Sequence, residues 1–349
     1  VILRILAVLA ALVAVAALVI VAVAYRLSAP GWRGPVSDHF DGERFHDLRP
    51  VNHGGFTDFV RWQRTRQRPR WEHRPGAPGT PPPAHVAPGA MRVTFVNHAT
   101  VLVQQDGINI LFDPIWSERA SPFSWIGPRR FRPPGLRFED LPPVDAVLIS
   151  HCHYDHLDLA TLQRLQAAHH PRFFVGLGNK ALLEAAGLGP VTELDWWQKA
   201  PLAPEIELVA VPAQHFSNRG LFDRDRTLWL GWVVRGPAGL AYFAGDTGAG
   251  PHFQQIRDRL GRPRLAVLPI GAYLPAWFMS RVHQSPAEAV AAVDILGAGT
   301  SVGMHFGTFA LADDGQDEPP AALSAALAAH PDPAPRFWVL GFGEGRPVP

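Results

Sequence analysis

The chain has 349 residues, 47% of them apolar, enough for one large domain with a sizeable core. With 32 Lys+Arg against 31 Asp+Glu the formal net charge is +1, so the basic surplus expected of a nucleic-acid-binding protein is missing. Its one cysteine, Cys152, excludes an intrachain disulfide framework.

The first element is an uninterrupted apolar run from Ile5 to Tyr25, flanked by Arg4 and Arg26. As a helix it is long enough to cross a bilayer. Its length exceeds the usual core of a secretory leader. The expectation is therefore an uncleaved single-pass anchor over residues 1–27, with a cleaved signal as the competing reading because Ala22 and Ala24 lie near its end. Arg4 precedes the run and Arg26 and Arg33 follow it, so flanking charge does not choose a side of the membrane.

Residues 28–90 are polar and turn-rich and read as an extension and linker. Within them Arg61, Arg64, Arg66, Arg68 and Arg70 are interspersed with Trp62 and Trp71. Such a stretch suits lipid head groups or an acidic groove, and equally a solvated arm. Pro75–Pro88 is rich in Pro and Gly and marks a loop before the compact domain, expected over 91–345.

Three short strands open that domain, at Arg92–Asn97, Thr100–Gln105 and Ile108–Phe112, with Asp106-Gly107 turning the last two into a hairpin. After the Pro/Arg/aromatic loop Pro114–Pro134, the apolar strand Ala146–Ser150 ends directly at His151. Helices are expected at Ala160–His169, Lys180–Ala186, Phe253–Leu260 and Pro286–Leu296. Further strands are expected at Arg172–Val175, Ile206–Pro212, Leu228–Arg235, Leu240–Ala244, Leu265–Ile270 and Ser301–Met304. Strand runs followed by strand–helix alternation predict a layered α/β domain. Gly176-Leu177-Gly178 is too little for a dinucleotide fingerprint, and no phosphate-loop motif is present.

The block His151-Cys152-His153-Tyr154-Asp155-His156 places four ligand-type side chains just beyond a strand end. If the strand continues, His151 and His153 share a side and Cys152 points away as a small buried residue. Imidazole and carboxylate donors suit zinc, and such mixtures also bind iron or manganese. A structural zinc site would favour thiolates, so an excess of His and Asp points to an open catalytic site. Further ligands are expected where other apolar strands end, at His215, Asp246 and His305.

These stretches resemble the metallo-β-lactamase superfamily, and within it the N-acylphosphatidylethanolamine-hydrolysing phospholipase D group and its bacterial relatives. The resemblance rests on Thr94–Val101, Asp113–Pro122, Val147–Asp158, Gln214–Ser217, Leu228–Trp232, Gly245–Gly248, Leu268–Tyr273, His305–Phe309 and Asp317–Pro320. It implies an αββα sandwich with two divalent ions at one edge of the sheets. His151, His153 and His215 would hold one zinc, Asp155, His156 and His305 the other, and Asp246 would bridge them. The implied reaction is phosphodiester cleavage by a metal-bridging hydroxide, with Asp155 orienting the nucleophile and His283 facing the substrate to bind phosphate or protonate the leaving group. Tyr154 and Tyr273 are candidate pocket-lining residues, and His98 is expected to orient the loop beside the metals rather than to bind one.

The chain departs from the family pattern at Tyr273-Leu274-Pro275-Ala276-Trp277-Phe278-Met279. The family's usual Glu and Arg are replaced there by Leu274 and Ala276. Phe306 likewise stands where Trp is commoner. A membrane phospholipid is the expected substrate. A metal-dependent lactonase or ester hydrolase on a small soluble substrate is the enzymatic alternative, and a non-catalytic anchored binding protein is the remote one.

Overall fold

The computed structural model describes residues 2–51, 54–331 and 333–349. It begins with α1 (Ile2–Leu27), of which only Ala24 is buried, and continues through the short helix α2 (Phe56–Thr65). An antiparallel meander follows, made of β1 (Met91–Asn97), β2 (Thr100–Gln105) and β3 (Ile108–Phe112). Parallel strands β4 (Ala146–Leu148), β5 (Arg172–Gly176) and β6 (Val191–Leu194) extend this sheet, connected through α3 (Leu159–His169) and α4 (Lys180–Ala185).

The second sheet starts antiparallel with β7 (Lys199–Ala203), β8 (Ile206–Val211), β9 (Gly231–Gly236) and β10 (Gly239–Phe243). After α5 (His252–Leu260) it turns parallel with β11 (Leu265–Pro269). The helices α6 (Ala276–Met279) and α7 (Pro286–Leu296) lead to β12 (Thr300–Met304), and α8 (Glu318–Ala328) leads to β13 (Phe337–Trp338). The chain then returns to the first sheet, where β14 (Gly345–Pro347) pairs with β1. Both sheets have seven strands, in the orders β14-β1-β2-β3-β4-β5-β6 and β13-β12-β11-β10-β9-β8-β7. This is the expected αββα sandwich.

Strand alternation explains how the first sheet fills two cores. Phe95, Val101, Val103, Ile110, Phe112 and Leu148 point into the cluster between the sheets. Their neighbours Val96, Leu102, Leu111 and Val147 point outward and are covered by Leu162 and Leu165 of α3 and Leu183 of α4. The inner cluster continues through the second sheet to Phe253 of α5 and Val293 of α7. Ser285 and Glu288 form a reciprocal cap at the start of α7, and Gly297 ends it at φ 60°.

The sequence expectation and the structure differ at the ends and edges. The expected strand from Leu228 begins only at Gly231. The Leu228 and Leu230 amides instead donate to Leu177 and Ser150 carbonyls, stitching this segment to the other sheet. The unexpected strands β6, β7, β13 and β14 are short outer ones, and β7 carries Pro201, a residue suited to a sheet margin.

Residues before the first strand lie against the body. Phe40 and Phe45 are part of the inter-sheet core. Arg66 pairs with Asp313 at 3.1 Å, Trp62 donates to the same carboxylate at 3.2 Å, and Arg74 pairs with Asp317. The backbone amides of Ala29 and Trp32 donate to the Asp223 carboxylate and the Arg226 carbonyl at 2.7 and 2.8 Å.

His39 contributes a pH-dependent part of this docking. Its ring stacks on Trp196 at 4.4 Å, with Asp38 at 2.5 Å from one nitrogen and Asp195 at 2.7 Å from the other. Burial opposes its charge, but hydrogen bonds to Asp195 and Asp38 outweigh that and hold its pKa above the usual imidazole value. The folded state therefore binds this proton more tightly than the unfolded chain. The stabilisation is complete below the unfolded histidine pKa and is lost as pH rises through the folded one. The His39→Gln variant should melt below wild type, with the gap wide at pH 5.5 and narrower at pH 9. Thermal unfolding across that range checks it; a gap that widens with pH would refute the assignment.

Candidate metal centre

The loops that follow β4, β8, β10 and β12 bring His151, His215, Asp246 and His305 together at one edge of the sandwich. The turn after His151 adds His153, Asp155 and His156. The focus is Asp246 Oδ2. It lies 3.1 Å from His156 Nε2, 3.2 Å from His305 Nε2, 3.8 Å from His215 Nε2 and 3.9 Å from His151 Nε2. On one side His153 Nδ1 sits 2.7 Å from His151 Nε2 and 3.3 Å from His215 Nε2. On the other, Asp155 Oδ2 sits 3.4 Å from both His156 Nε2 and His305 Nε2.

Backbone geometry contributes to this convergence. His98, Asp113 and His305 adopt left-handed conformations, with φ of 45°, 40° and 65°. Each costs about 1–3 kcal/mol for a residue with a side chain, so the surroundings must impose it. The His305 amide donates to the His98 carbonyl at 2.7 Å, and the His98 amide to Thr308 Oγ1 at 3.0 Å. Gly271 makes room for the turn, because a Cβ there would lie 2.0 Å from the His305 carbonyl oxygen.

The outer nitrogens of four of the five imidazoles are also held, while His305 Nδ1 is buried without a partner. His156 Nδ1 lies 2.7 Å from Asp113 Oδ2, and Asp113 also accepts from Ser150 N at 2.7 Å and Ser150 Oγ at 2.6 Å. Ser150 Oγ is 2.9 Å from His151 Nδ1. His215 Nδ1 faces the Val282 carbonyl at 2.9 Å, and His153 Nε2 faces Asn218 Oδ1 at 3.2 Å. Such partners fix imidazole tautomers, leaving the inner nitrogen free to ligate. His153 therefore turns Nδ1 inward, whereas His151, His156, His215 and His305 turn Nε2.

These residues fit divalent cations. The Nε2 atoms of His156 and His305 and Oδ1 of Asp246 are buried without a hydrogen-bond partner. Buried polar atoms are rarely left so, and several converging on one point suit a positive ion. The charge pattern agrees. Burial drives His151 and His215 well below the usual imidazole range and His153 down to about 4, so three neutral lone pairs face one side. On the other side burial opposes charge, yet Asp246 and Asp155 hold His156 well above that range and push His305 up to about 9. Burial likewise resists the Asp155 and Asp246 anions, but the surrounding histidines hold both well below the usual carboxylate range. Two carboxylates in this space thus attract positive charge, which divalent ions would supply in place of protons.

The remaining candidates are placed as follows. His98 Nε2 lies 2.9 Å from Asp155 Oδ2, and the ligand atoms of His98, Asp155, His156 and His305 all fall within 4.8 Å of one another. His283 is buried with its ring 5.2 Å from His215 and 5.3 Å from His305, and its Nδ1 has no partner. Burial pushes its pKa down to about 4. Tyr154 lies under the Arg219 guanidinium, 3.9 Å from its ring centroid, in a cleft beside the end of α1. The Tyr273 hydroxyl donates to Glu318 at 3.3 Å. Cys152 points into the outer core beside Ile149 and Leu157, where burial pushes its thiol up to about 11.

Sequence reasoning missed the supporting roles of Asp113, Ser150 and Asn218. Asp113 carried a signal, since it too follows directly on an apolar strand, β3, and precedes a proline.

Comparison with known proteins yields one family, described as the beta-lactamase superfamily domain, matching residues 108–306. The chain is 42% identical over 226 residues to N-acyl-phosphatidylethanolamine-hydrolyzing phospholipase D 1 of Caenorhabditis elegans, covering 62% of this chain and 64% of that protein. It is 33% identical over 227 residues to the mitochondrial N-acyl-phosphatidylethanolamine-hydrolyzing phospholipase D of Saccharomyces cerevisiae, covering 63% of this chain and 48% of that protein. The matched regions thus span less than two thirds of either relative. Among solved structures, a possible metal-dependent hydrolase from Veillonella parvula superposes with a TM-score of 0.60 at 17% identity, over 74% of this chain and 99% of that one. Igni18, a metallo hydrolase from Ignicoccus hospitalis, gives 0.55 at 23% identity, over 74% and 98%. At these identities the structural likeness is one of fold.

The outer-atom contacts generate a direct expectation. Asp113→Asn keeps the shape but removes the charge that orients His156. It should lower zinc affinity about 10- to 100-fold, the usual cost of losing such a partner, while the fold persists. Competition titration with a chelating dye, beside circular dichroism, measures both. Unchanged affinity would show that Asp113 does not position the cluster.

Proposed function

This chain belongs to the beta-lactamase superfamily, and from that premise we propose that it is a membrane-anchored, two-metal phosphodiesterase of the phospholipase D type. On this reading His151, His153 and His215 hold one divalent ion, Asp155, His156 and His305 hold a second, and Asp246 lies between them. Zinc suits this mixture of imidazole and carboxylate, with iron or manganese as substitutes. Once bound there, such ions would lower the pKa of a water to make it a nucleophile and would offset charge on the phosphoryl oxygens.

The chain's own groups do the rest. His98 holds one oxygen of Asp155 at 2.9 Å, so this carboxylate has a fixed orientation from which to accept the proton of an attacking water. His283 is neutral by virtue of its burial and stands beside His215 and His305, where its ring can hydrogen-bond a phosphoryl or leaving-group oxygen.

One observation carries the choice of a lipid. A largely apolar groove of about 630 Å³, lined by Phe56, Phe59, Trp62, Phe216, Phe278 and Met279, opens beside the cluster. Phe216 directly follows the candidate ligand His215, and Asn218, which faces His153, also lines the groove. The groove continues to Gly220 and Leu221, and Leu221 is 70% exposed. This same loop holds the end of α1. A Cβ on Gly220 would meet Ser28 Oγ at 2.3 Å and the Ala24 carbonyl at 2.6 Å, and the Asp223 carboxylate accepts from the Ala29 amide. α1 has 26 residues and is apolar enough to cross a membrane. Apolar groove, cluster and membrane helix thus meet at one loop, as a hydrolase acting on lipids at a bilayer surface requires. The names of the nematode and yeast relatives point to an N-acylphosphatidylethanolamine-like substrate.

The test is incubation of the detergent-solubilised, metal-loaded protein with N-acylphosphatidylethanolamine in mixed micelles, with Asp246→Ala as control. Mass spectrometry should find phosphatidic acid and N-acylethanolamine, absent from the control. A fully metallated enzyme that releases neither would reject this substrate. In the active enzyme His283→Gln should lower kcat about 100- to 1,000-fold, the typical loss on removing a donor aimed at developing charge, with its metal content unchanged. An unaffected kcat would remove His283 from the reaction.

A further inference from the structure

A second cleft, of about 490 Å³, lies between the end of α1, the loop of residues 117–124 and the start of α3. Its charged groups are unequally engaged. Arg26, Arg119 and Arg219 all line it, and among the described residues none of the three forms an ion pair. Arg119 is held in place by the Ser124 and Gly127 carbonyls, at 3.1 and 2.6 Å. Arg219 is 8% exposed, and its Nη1 donates to the Cys152 and Leu157 carbonyls at 2.7 and 2.9 Å. Backbone carbonyls thus position these guanidinium groups without neutralising them.

Of the cleft's two carboxylates one is paired, and the other, Asp158, keeps its charge but is fixed by neutral donors. Asp158 accepts from Ser117 N at 3.1 Å and Thr161 Oγ1 at 2.5 Å, and Glu118 faces Arg129 at 3.5 Å. Because Asp158 makes no side-chain cap, the first-turn amides of α3 remain open, and Leu159 and Ala160 line the cleft. The Tyr154 hydroxyl is buried at the cleft beneath the Arg219 guanidinium. Three unneutralised guanidinium groups, one of them deeply buried, and a positive helix end call for an anion with several oxygens. Arg26 is in the last turn of α1, at the depth where a spanning helix meets lipid head groups.

We propose that this cleft binds a phosphate group, at a site distinct from the metal centre, and that its natural source is the head group of an anionic phospholipid beside α1. Free phosphate offers the same chemistry without the lipid, and the two sources separate in the test. No bond is made or broken at this site.

The experiment uses the full chain, metal-loaded, in nonionic detergent micelles. Binding of short-chain phosphatidylglycerol and, separately, of inorganic phosphate is measured by native mass spectrometry on wild type, on the double variant Arg26→Gln/Arg119→Gln, and on Ser124→Glu. Ser124 lines the cleft and is exposed, so the last variant brings a carboxylate beside Arg119 without disturbing the core. Both variants should weaken lipid binding at least tenfold, with phosphodiester hydrolysis in zwitterionic micelles and Tm unchanged. Loss of lipid binding alone identifies the head group as the source, and parallel loss of inorganic phosphate binding identifies the shared anion. Any binding retained equally by all three proteins belongs to the metal centre. Lipid and phosphate affinities that are the same in wild type and both variants, or no binding to wild type, would overturn the proposal.

Discussion

Packing six imidazole and carboxylate groups around Asp246 Oδ2, all but His153 buried, is the constraint on which the rest of this structure depends. Buried carboxylates and unpaired imidazole nitrogens are costly unless something positive lies among them. The sandwich meets that cost by ending strands of both sheets at one edge and by bracing the outer nitrogens of four of the five imidazoles, His305 Nδ1 having no partner. Asp113, Ser150, Asn218 and the Val282 carbonyl do this for His156, His151, His153 and His215. The left-handed backbone at His98, Asp113 and His305 is part of the same cost, held by the His305–His98 hydrogen bond between the two sheets and, at Asp113, by its amide donating to the Leu148 carbonyl within the first sheet.

The loop after β8 connects this chemistry to the surroundings of the protein. Within ten residues it supplies His215, the aromatic wall at Phe216, the His153 partner Asn218, the arginine that braces the metal loop through the Cys152 and Leu157 carbonyls, and the Asp223 carboxylate that grips the start of the post-helix segment. The apolar groove and the end of α1 thus share one loop, and aromatic and aliphatic side chains such as Phe56 and Leu221 stand exposed along it.

The inner strands, helices α1, α3, α4, α5 and α7 and the candidate ligands were legible in the sequence for one reason, whereas α2 and α8 were not anticipated. Each strand is an apolar run, and each of His151, His215, Asp246 and His305 stands shortly after one. Periodicity reports burial, and burial here is local. What was not legible depends on contacts between distant segments. Gly231 starts β9 late because Leu228 and Leu230 bond to the opposite sheet. Phe40 and Phe45 look like linker residues until the sandwich offers them a core. The placement of Tyr154 beneath Arg219 rather than among the imidazoles could not be read from a six-residue motif, because the guanidinium that covers it comes from 65 positions later.

The central claim is that the cluster holds two ions and that both are needed for phosphodiester cleavage. The most direct measurement strips the purified chain of metal and adds zinc back in steps. Bound metal is counted by inductively coupled plasma mass spectrometry while hydrolysis of N-acylphosphatidylethanolamine is followed in the same samples. The account predicts binding of two equivalents per chain, with activity rising chiefly on the second. Saturation of metal and activity together at one equivalent, or full activity in the stripped protein, would contradict it.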